Sequence, residues 1–176
     1  MERSKGSAGI PLVECTNRYI VKYRVRWDVR PVEDSEEYHD MVSYYETDIV
    51  SKTKPRLKDV KDAVINGINN LVERCIVEQY MWQGMAVWLS VENQINYKAA
   101  YDLCVQSGGE NLPITIKLGS ADVPVYYTFE SETEIADFYK GVMRHISDTL
   151  AMGWEMKDSI KWEEYDVELQ KFIVNE

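Results

Sequence analysis

Several groups of residues have the types and spacing that chemistry requires. Glu36, Glu37, His39 and Asp40 fall within five positions and offer carboxylate oxygens and an imidazole, the donors of a cation site. Metal sites usually draw ligands from separated elements, and no recognised ligand spacing is met, so a solvated acidic loop accounts for the run better. A nucleophilic pair would join Cys104 to His145. Cys75 and Cys104, however, both sit at core-facing helical spacing, where a thiol behaves as a small hydrophobe, and nothing in sequence lowers its pKa. His145 and Asp148 read as an ordinary helix-surface pair. Gln106-Ser-Gly-Gly109 follows a helix signal rather than preceding one, so it would offer an anion carbonyls instead of N–H donors; helix termination is the better account.

Two further groups point to binding. Lys22, Arg24, Arg26 and Arg30 project from one face of an alternating stretch with Trp27 and tyrosines nearby, a mixture that can bind nucleic acid. The aromatics alternate onto the opposite face and cannot stack bases beside the arginines. A basic face that meets an acidic strand or an acidic partner fits better, which makes nucleic acid an unfavoured partner. Trp82 and Trp88 flank Gly84 and could form a ligand shelf of the kind seen in carbohydrate-binding modules, although core packing of a short hairpin is the simpler account. Tyr126 and Tyr127 must point to opposite faces of a strand, leaving one exposed for a protein interface.

The elements that would position these groups follow from periodicity. Tyr19, Val21, Tyr23, Val25, Trp27 and Val29 alternate with polar residues, predicting a strand over 18–30 that Pro31 ends. After the acidic run, 38–49 predicts an antiparallel partner, with Glu46 and Asp48 placed across from the arginines. Pro55 suits the first turn of a helix, and Leu57, Val60, Val64, Ile68, Leu71 and Cys75 mark its apolar face, interrupted by Gly67. Short strands follow around Gln83-Gly84. A second helix capped by Ser90 would bury Val91, Ile95, Ala99 and Leu103. Strands over 112–118 and 123–129 form a hairpin. Ser131-Glu-Thr-Glu134 opens a third helix with the stripe Ile135, Phe138, Val142, Ile146 and Leu150, ending or bending at Gly153. Residues 1–17 lack periodicity and read as a flexible N-terminal arm, and 159–176 as a helical or irregular C-terminal extension with Trp162, Tyr165 and Leu169 as docking points. The expected fold is α+β: short antiparallel strands and hairpins packed with three principal helices. A single domain would span 18–158, made of a hairpin (18–50), a helix (56–79) and a hairpin-helix-hairpin-helix unit (80–158).

The totals limit the classes open to it. A chain of 176 residues suits one domain with appendages. Net charge is −10, but residues 1–30 hold seven Lys/Arg against three Asp/Glu, so a basic strand of +4 adjoins a body of −14. That balance disfavours nucleic acid and anionic membranes as partners. Three cysteines without CxxC spacing suit a reducing compartment and no disulfide framework. The first ten residues show no apolar core of signal-peptide length, and no stretch approaches the ~20 apolar residues of a membrane span.

With these residues in view, the stretch from about 60 to 158 resembles a domain family of unknown function in tail-associated proteins of phages and prophages. A helix precedes an aromatic–glycine hairpin (Tyr80-Met-Trp82-Gln-Gly84); Gln94-Ile-Asn96 with Ala99 and Ala100 opens the next helix; Leu112-Pro113-Ile114 starts a strand; and a later helix carries His145-Ile146. Where the family has a Trp-x-Thr-like segment, Thr115-Ile-Lys-Leu-Gly119 stands instead. Val87-Trp-Leu-Ser90 and Tyr97-Lys-Ala-Ala-Tyr-Asp102 are similar to small proteins of phages of gut Bacteroidales. The resemblance implies a non-enzymatic virion component at the tail, baseplate or fibre attachment, assembled in the bacterial host cytoplasm and acting through contacts with copies of itself or other virion proteins. An assembly chaperone not retained in the particle is the alternative, and a small enzyme of unknown reaction a third. The family implies no catalytic residues, cofactor or metal. Candidate interface residues are Lys22, Arg24, Arg26, Arg30, Tyr126, Tyr127, Trp162 and Tyr165.

Overall fold

Period-two burial begins the architecture. In a computed structural model, which describes residues 2–17, 19, 21–32, 40–51, 53–120 and 122–172, Tyr23, Val25 and Trp27 are buried along a strand. This strand, β3 (Lys22–Pro31), pairs antiparallel with β4 (Met41–Val50). The register sets Arg24 opposite Asp48 and Arg26 opposite Glu46, as the sequence predicts. The alternation fails beyond Trp27. Asp28 has φ +52°, the register shifts between Trp27 and Arg30, and Val29 turns outward instead of joining the core.

The chain is α+β and forms two compact units, residues 1–71 with 153–176 and residues 72–152, where the sequence suggests a single domain over 18–158. In the first unit the expected N-terminal arm is corrected. Residues 4–7 and 13–17 are strands β1 (Ser4–Ser7) and β2 (Val13–Asn17), and the antiparallel sheet has the order β1-β4-β3-β2. Periodicity misses them because each is held by distant groups. The Arg3 guanidinium donates to the Asp28 carboxylate and to the carbonyls of Asp28 and Ser43, and Arg26 donates to Glu14.

Helix α1 (Leu57–Glu78) lays Val60, Val64, Ile68 and Leu71 into the core of this unit. Its Gly67 is a close-approach residue. A Cβ there would stand 2.8 Å from Thr47 Oγ1 and 3.0 Å from Trp27 Cζ2. Thr47 cannot swing aside freely, because its hydroxyl accepts the Trp27 indole N–H at 3.1 Å. The C-terminal extension, as far as it is described, takes the helical one of the two forms expected and docks through two of the three expected residues. Helix α4 (Trp162–Gln170) buries Tyr165 and Leu169, and the Tyr165 hydroxyl donates to the Arg26 carbonyl at 2.8 Å. Phe172 meets Tyr23 edge-on at 5.7 Å. Residues 173–176 and the acidic run 33–39 lie outside the described residues.

In the second unit, hairpin β5 (Tyr80–Trp82) and β6 (Met85–Val87) turns through Gln83 and Gly84, both at positive φ, the geometry of a two-residue type I′ loop. Ser90 caps α2 (Val91–Gln106), accepting the Asn93 N–H, and Gly108 and Gly109 follow its end at positive φ. A second hairpin joins β7 (Ile114–Lys117) to β8 (Tyr126–Phe129). Helix α3 (Glu132–Asp158) begins with Ser131 accepting the Glu134 N–H. Gly153 does not end it; the helix runs on to Asp158. Leu150 is turned outward and Thr149 buried in its place, its hydroxyl satisfied by the His145 carbonyl at 2.7 Å. Val87, Leu89, Tyr97, Cys104, Leu118, Phe129, Ile135, Phe138 and Val142 form the core of this unit.

The face expected of α2 is reversed. Val91, Ile95, Ala99 and Leu103 are exposed, and Tyr97 and Cys104 are buried. The helix carries apolar residues on both sides, and the ring of Tyr97 decides which side turns in. It packs on Phe138 at 5.2 Å while its hydroxyl reaches the Lys117 carbonyl at 3.1 Å.

The Gly67 packing is testable. Gly67→Ala gains about 1 kcal/mol of helix propensity but overpacks Trp27 and Thr47 by about 2–3 kcal/mol. A net loss of roughly 1–2 kcal/mol is expected in urea unfolding; unchanged or raised stability would contradict this contact.

Candidate functional site

The basic face of β3 is met by acids of its own sheet. Lys22 Nζ lies 2.6 Å from Asp48, and Arg24 Nε lies 3.4 Å from Glu46 and 3.5 Å from Asp48. Arg30 pairs with Asp28 at 2.7 Å. Arg26 is corrected as an interface residue. It is 4% exposed, donating to Glu14 at 2.5 Å and to the Pro11 carbonyl at 2.8 Å. Burial works against its charge, but the Glu14 and Tyr44 interactions outweigh that and raise its pKa. Because β3 is an inner strand, its edges are already paired; the sheet's edges are β1 and β2.

The aromatic candidates separate. Tyr126 is 67% exposed, and Tyr127 is half-buried, its hydroxyl donating to Glu134 with Gln83 Oε1 3.1 Å away. The Glu134 hydrogen bond raises the Tyr127 phenol, and the same bond, followed by the Glu130 amide, lowers the Glu134 carboxyl. Trp162 is half-buried with Lys61 Nζ 5.3 Å from its ring centroid. Tyr165 is corrected: it is a core residue whose phenol burial raises. Trp82 is half-buried against the core, edge-on to Phe138 at 5.4 Å.

The groups considered for catalysis are not assembled by this geometry. Of the 36–40 cluster, only Asp40 is among the described residues. His145 Nε2 lies 3.1 Å from the Cys75 carbonyl and 3.3 Å from that of Ile76, with the Tyr80 ring 5.4 Å away. Those contacts are with backbone oxygens and a phenol ring. Burial raises both the Cys75 and Cys104 thiols, opposite to what a nucleophile requires. Among the described residues no three His, Cys, Asp or Glu side chains gather as a cation site, and no helix is long and apolar enough to cross a membrane.

Two surfaces of the second unit escape the sequence patterns. One is the outward side of α2, where Val91 is 73%, Ile95 63% and Leu103 55% exposed. Val91 and Ile95 line a shallow groove of about 220 Å³ with Lys98, Tyr139, Met143 and Ile146. The other is an open cleft of about 670 Å³ between α2 and β7, where Trp88, Asn93, Asn96 and Tyr97 face Thr115 and Lys117. No family profile, curated protein or solved structure matches this chain. The side chains themselves must carry the functional reading. An exposed aliphatic strip excludes water only when another apolar surface covers it, so its chemistry is that of association. The signal for it was the spread of apolar residues around α2, which a single-stripe reading assigns to the core.

The ladder of charges on β3 and β4 is testable by pH. Burial pushes the Asp48 carboxyl up, but the Lys22 hydrogen bond and the Lys22 and Arg24 charges outweigh it and hold it below the ordinary carboxylate range. A depressed folded pKa gives stability that is present above about pH 4, the unfolded value, and is lost as pH falls through the folded one. Asp48→Asn should therefore be less stable than the parent at pH 6, by a few tenths of a kcal/mol for so exposed a pair, and indistinguishable from it in strong acid. Urea midpoints across that range decide it; a gap that widens on acidification would refute the pairing.

Proposed function

We propose that this chain is a non-enzymatic structural component of a bacteriophage virion, at the tail, baseplate or fibre attachment, working by contact with copies of itself or with other virion proteins. The observation that carries the reading is the aliphatic strip of α2, turned to solvent while a buried tyrosine anchors the helix from behind. A net charge of −10 keeps unassembled subunits soluble, and an apolar patch then supplies short-range adhesion. The resemblance over about 60–158, carried by the motifs from Tyr80-Met-Trp82-Gln-Gly84 to His145-Ile146, supports the same reading.

The strand over 18–30 offers no free edge to which a partner strand could add. That strand is interior, and the terminal segments pack within their own unit as far as they are described. Adhesion is therefore assigned to the α2 side, with exposed Tyr126 as a further anchor.

Ile95→Glu places a charge on the strip without touching the core. Light scattering across a wide concentration range should show the parent associating and the variant at protomer mass. Peptides of the chain should also appear at fixed stoichiometry in purified particles. Their absence from particles, with association intact, favours an assembly chaperone and overturns a virion role; a parent that never associates, alone or with virion proteins, removes α2 as the adhesive surface.

A further inference from the structure

We infer that the cleft between α2 and β7 is a docking site for an extended peptide segment of a partner protein, which adds a strand to the free edge of β7. The β7–β8 sheet has two strands, so one edge of β7 carries no ladder. The register shows which groups face that edge. Leu118 N–H donates to the Val125 carbonyl at 2.7 Å, and the same register continues through Ile116 with Tyr127 and Ile114 with Phe129. Bonded pairs alternate in an antiparallel ladder, so Thr115 and Lys117 direct their backbone groups the other way, toward α2. The Lys117 carbonyl confirms that direction by accepting the Tyr97 hydroxyl from the helix side. The Thr115 N–H and carbonyl and the Lys117 N–H have no partner among the described residues.

The dimensions fit an extended chain. The helix lines the cleft from Glu92 to Ala100, about 12 Å of axis, and the strand lines it along all of β7, about 10 Å. The edge repeats its hydrogen-bonding groups every second residue, roughly every 6.8 Å, which is the repeat of a polypeptide strand. Neutral sugars have no such repeat. Charge defines the occupant further. Glu92 and Lys117 stand at the cleft without an ion-pair partner among the described residues, while Trp88, Ala100 and Ile116 supply apolar surface. The complementary segment is neutral overall, alternating apolar residues with one basic and one acidic side chain, the basic one opposite Glu92 and the acidic one opposite Lys117. This holds for the isolated chain whether or not it remains in a particle, so its failure leaves the assembly reading untouched.

The test titrates the full-length ¹⁵N-labelled chain with an array of neutral hexapeptides that alternate valine or tyrosine with lysine and glutamate. Saturable shifts centred on the Thr115 and Lys117 amides, with slowed hydrogen exchange there, are expected from at least one member. Methylating the backbone nitrogen that faces β7 in that peptide should weaken it at least about tenfold, while methylating the next nitrogen should not, a comparison that leaves the protein unaltered. No shift at millimolar peptide, equal binding of both methylated peptides, or the same shifts from a neutral oligosaccharide would each overturn strand addition.

Discussion

A buried positive charge organises the first unit. The Arg26 guanidinium lies beneath the surface on an inner strand, and a charge left there without partners would cost several kcal/mol. Its partners come from far along the chain: the Glu14 carboxylate and the Pro11 carbonyl from the segment that precedes β3, and the Tyr44 ring 5.3 Å away on β4. Its own carbonyl receives the Tyr165 hydroxyl, 139 residues downstream. One residue therefore draws both terminal segments onto the sheet. Strand β2 and the short last helix are ordered by contacts to Arg26 more than by their own propensities, while β1 is held by Arg3 and by its register with β4.

This explains how the chain could and could not be read in advance. The β3–β4 pair, α1, the Gln83-Gly84 turn, the Ser90 cap and the Ser131 start were legible because each signal is local: a period, a proline, a hydroxyl at the right offset. Strands β1 and β2 were not. Ser4 to Ser7 offers no alternation, and only a register with Met41–Tyr44 makes it a strand. The helix face of α2 failed for a different reason. Local counting favours aliphatics, whereas the core selected Tyr97, whose ring and hydroxyl both find partners that belong to other elements. Of the candidate site, alternation showed that one of Tyr126 and Tyr127 faces outward but not which one; Arg26 and Tyr165 looked available to a partner because their own partners lie far away in sequence.

The second unit shows how an aromatic core frees a helix surface. Tyr97, Phe129, Phe138 and Trp82 interlock with centroid separations of 5.1 to 6.5 Å, and this cluster holds α2 by a few large contacts. A helix anchored by one or two bulky residues need not bury its smaller aliphatic ones. Those become available for association, and the cleft beside Tyr97 remains open where a set of smaller core residues would have closed helix onto strand.

The edge strand β1 has a bearing on how the protein survives before it reaches a partner. Sheets grow by edge-to-edge addition, and a subunit stockpiled at high concentration runs the risk of linear polymerisation. On the β1 side the outer strand is four residues long and reads Ser-Lys-Gly-Ser, too short and too hydrophilic to template a further layer. The aromatic strand β3 is sealed between two neighbours. In this sheet the aromatic backbone is thus kept inside, away from chance pairing.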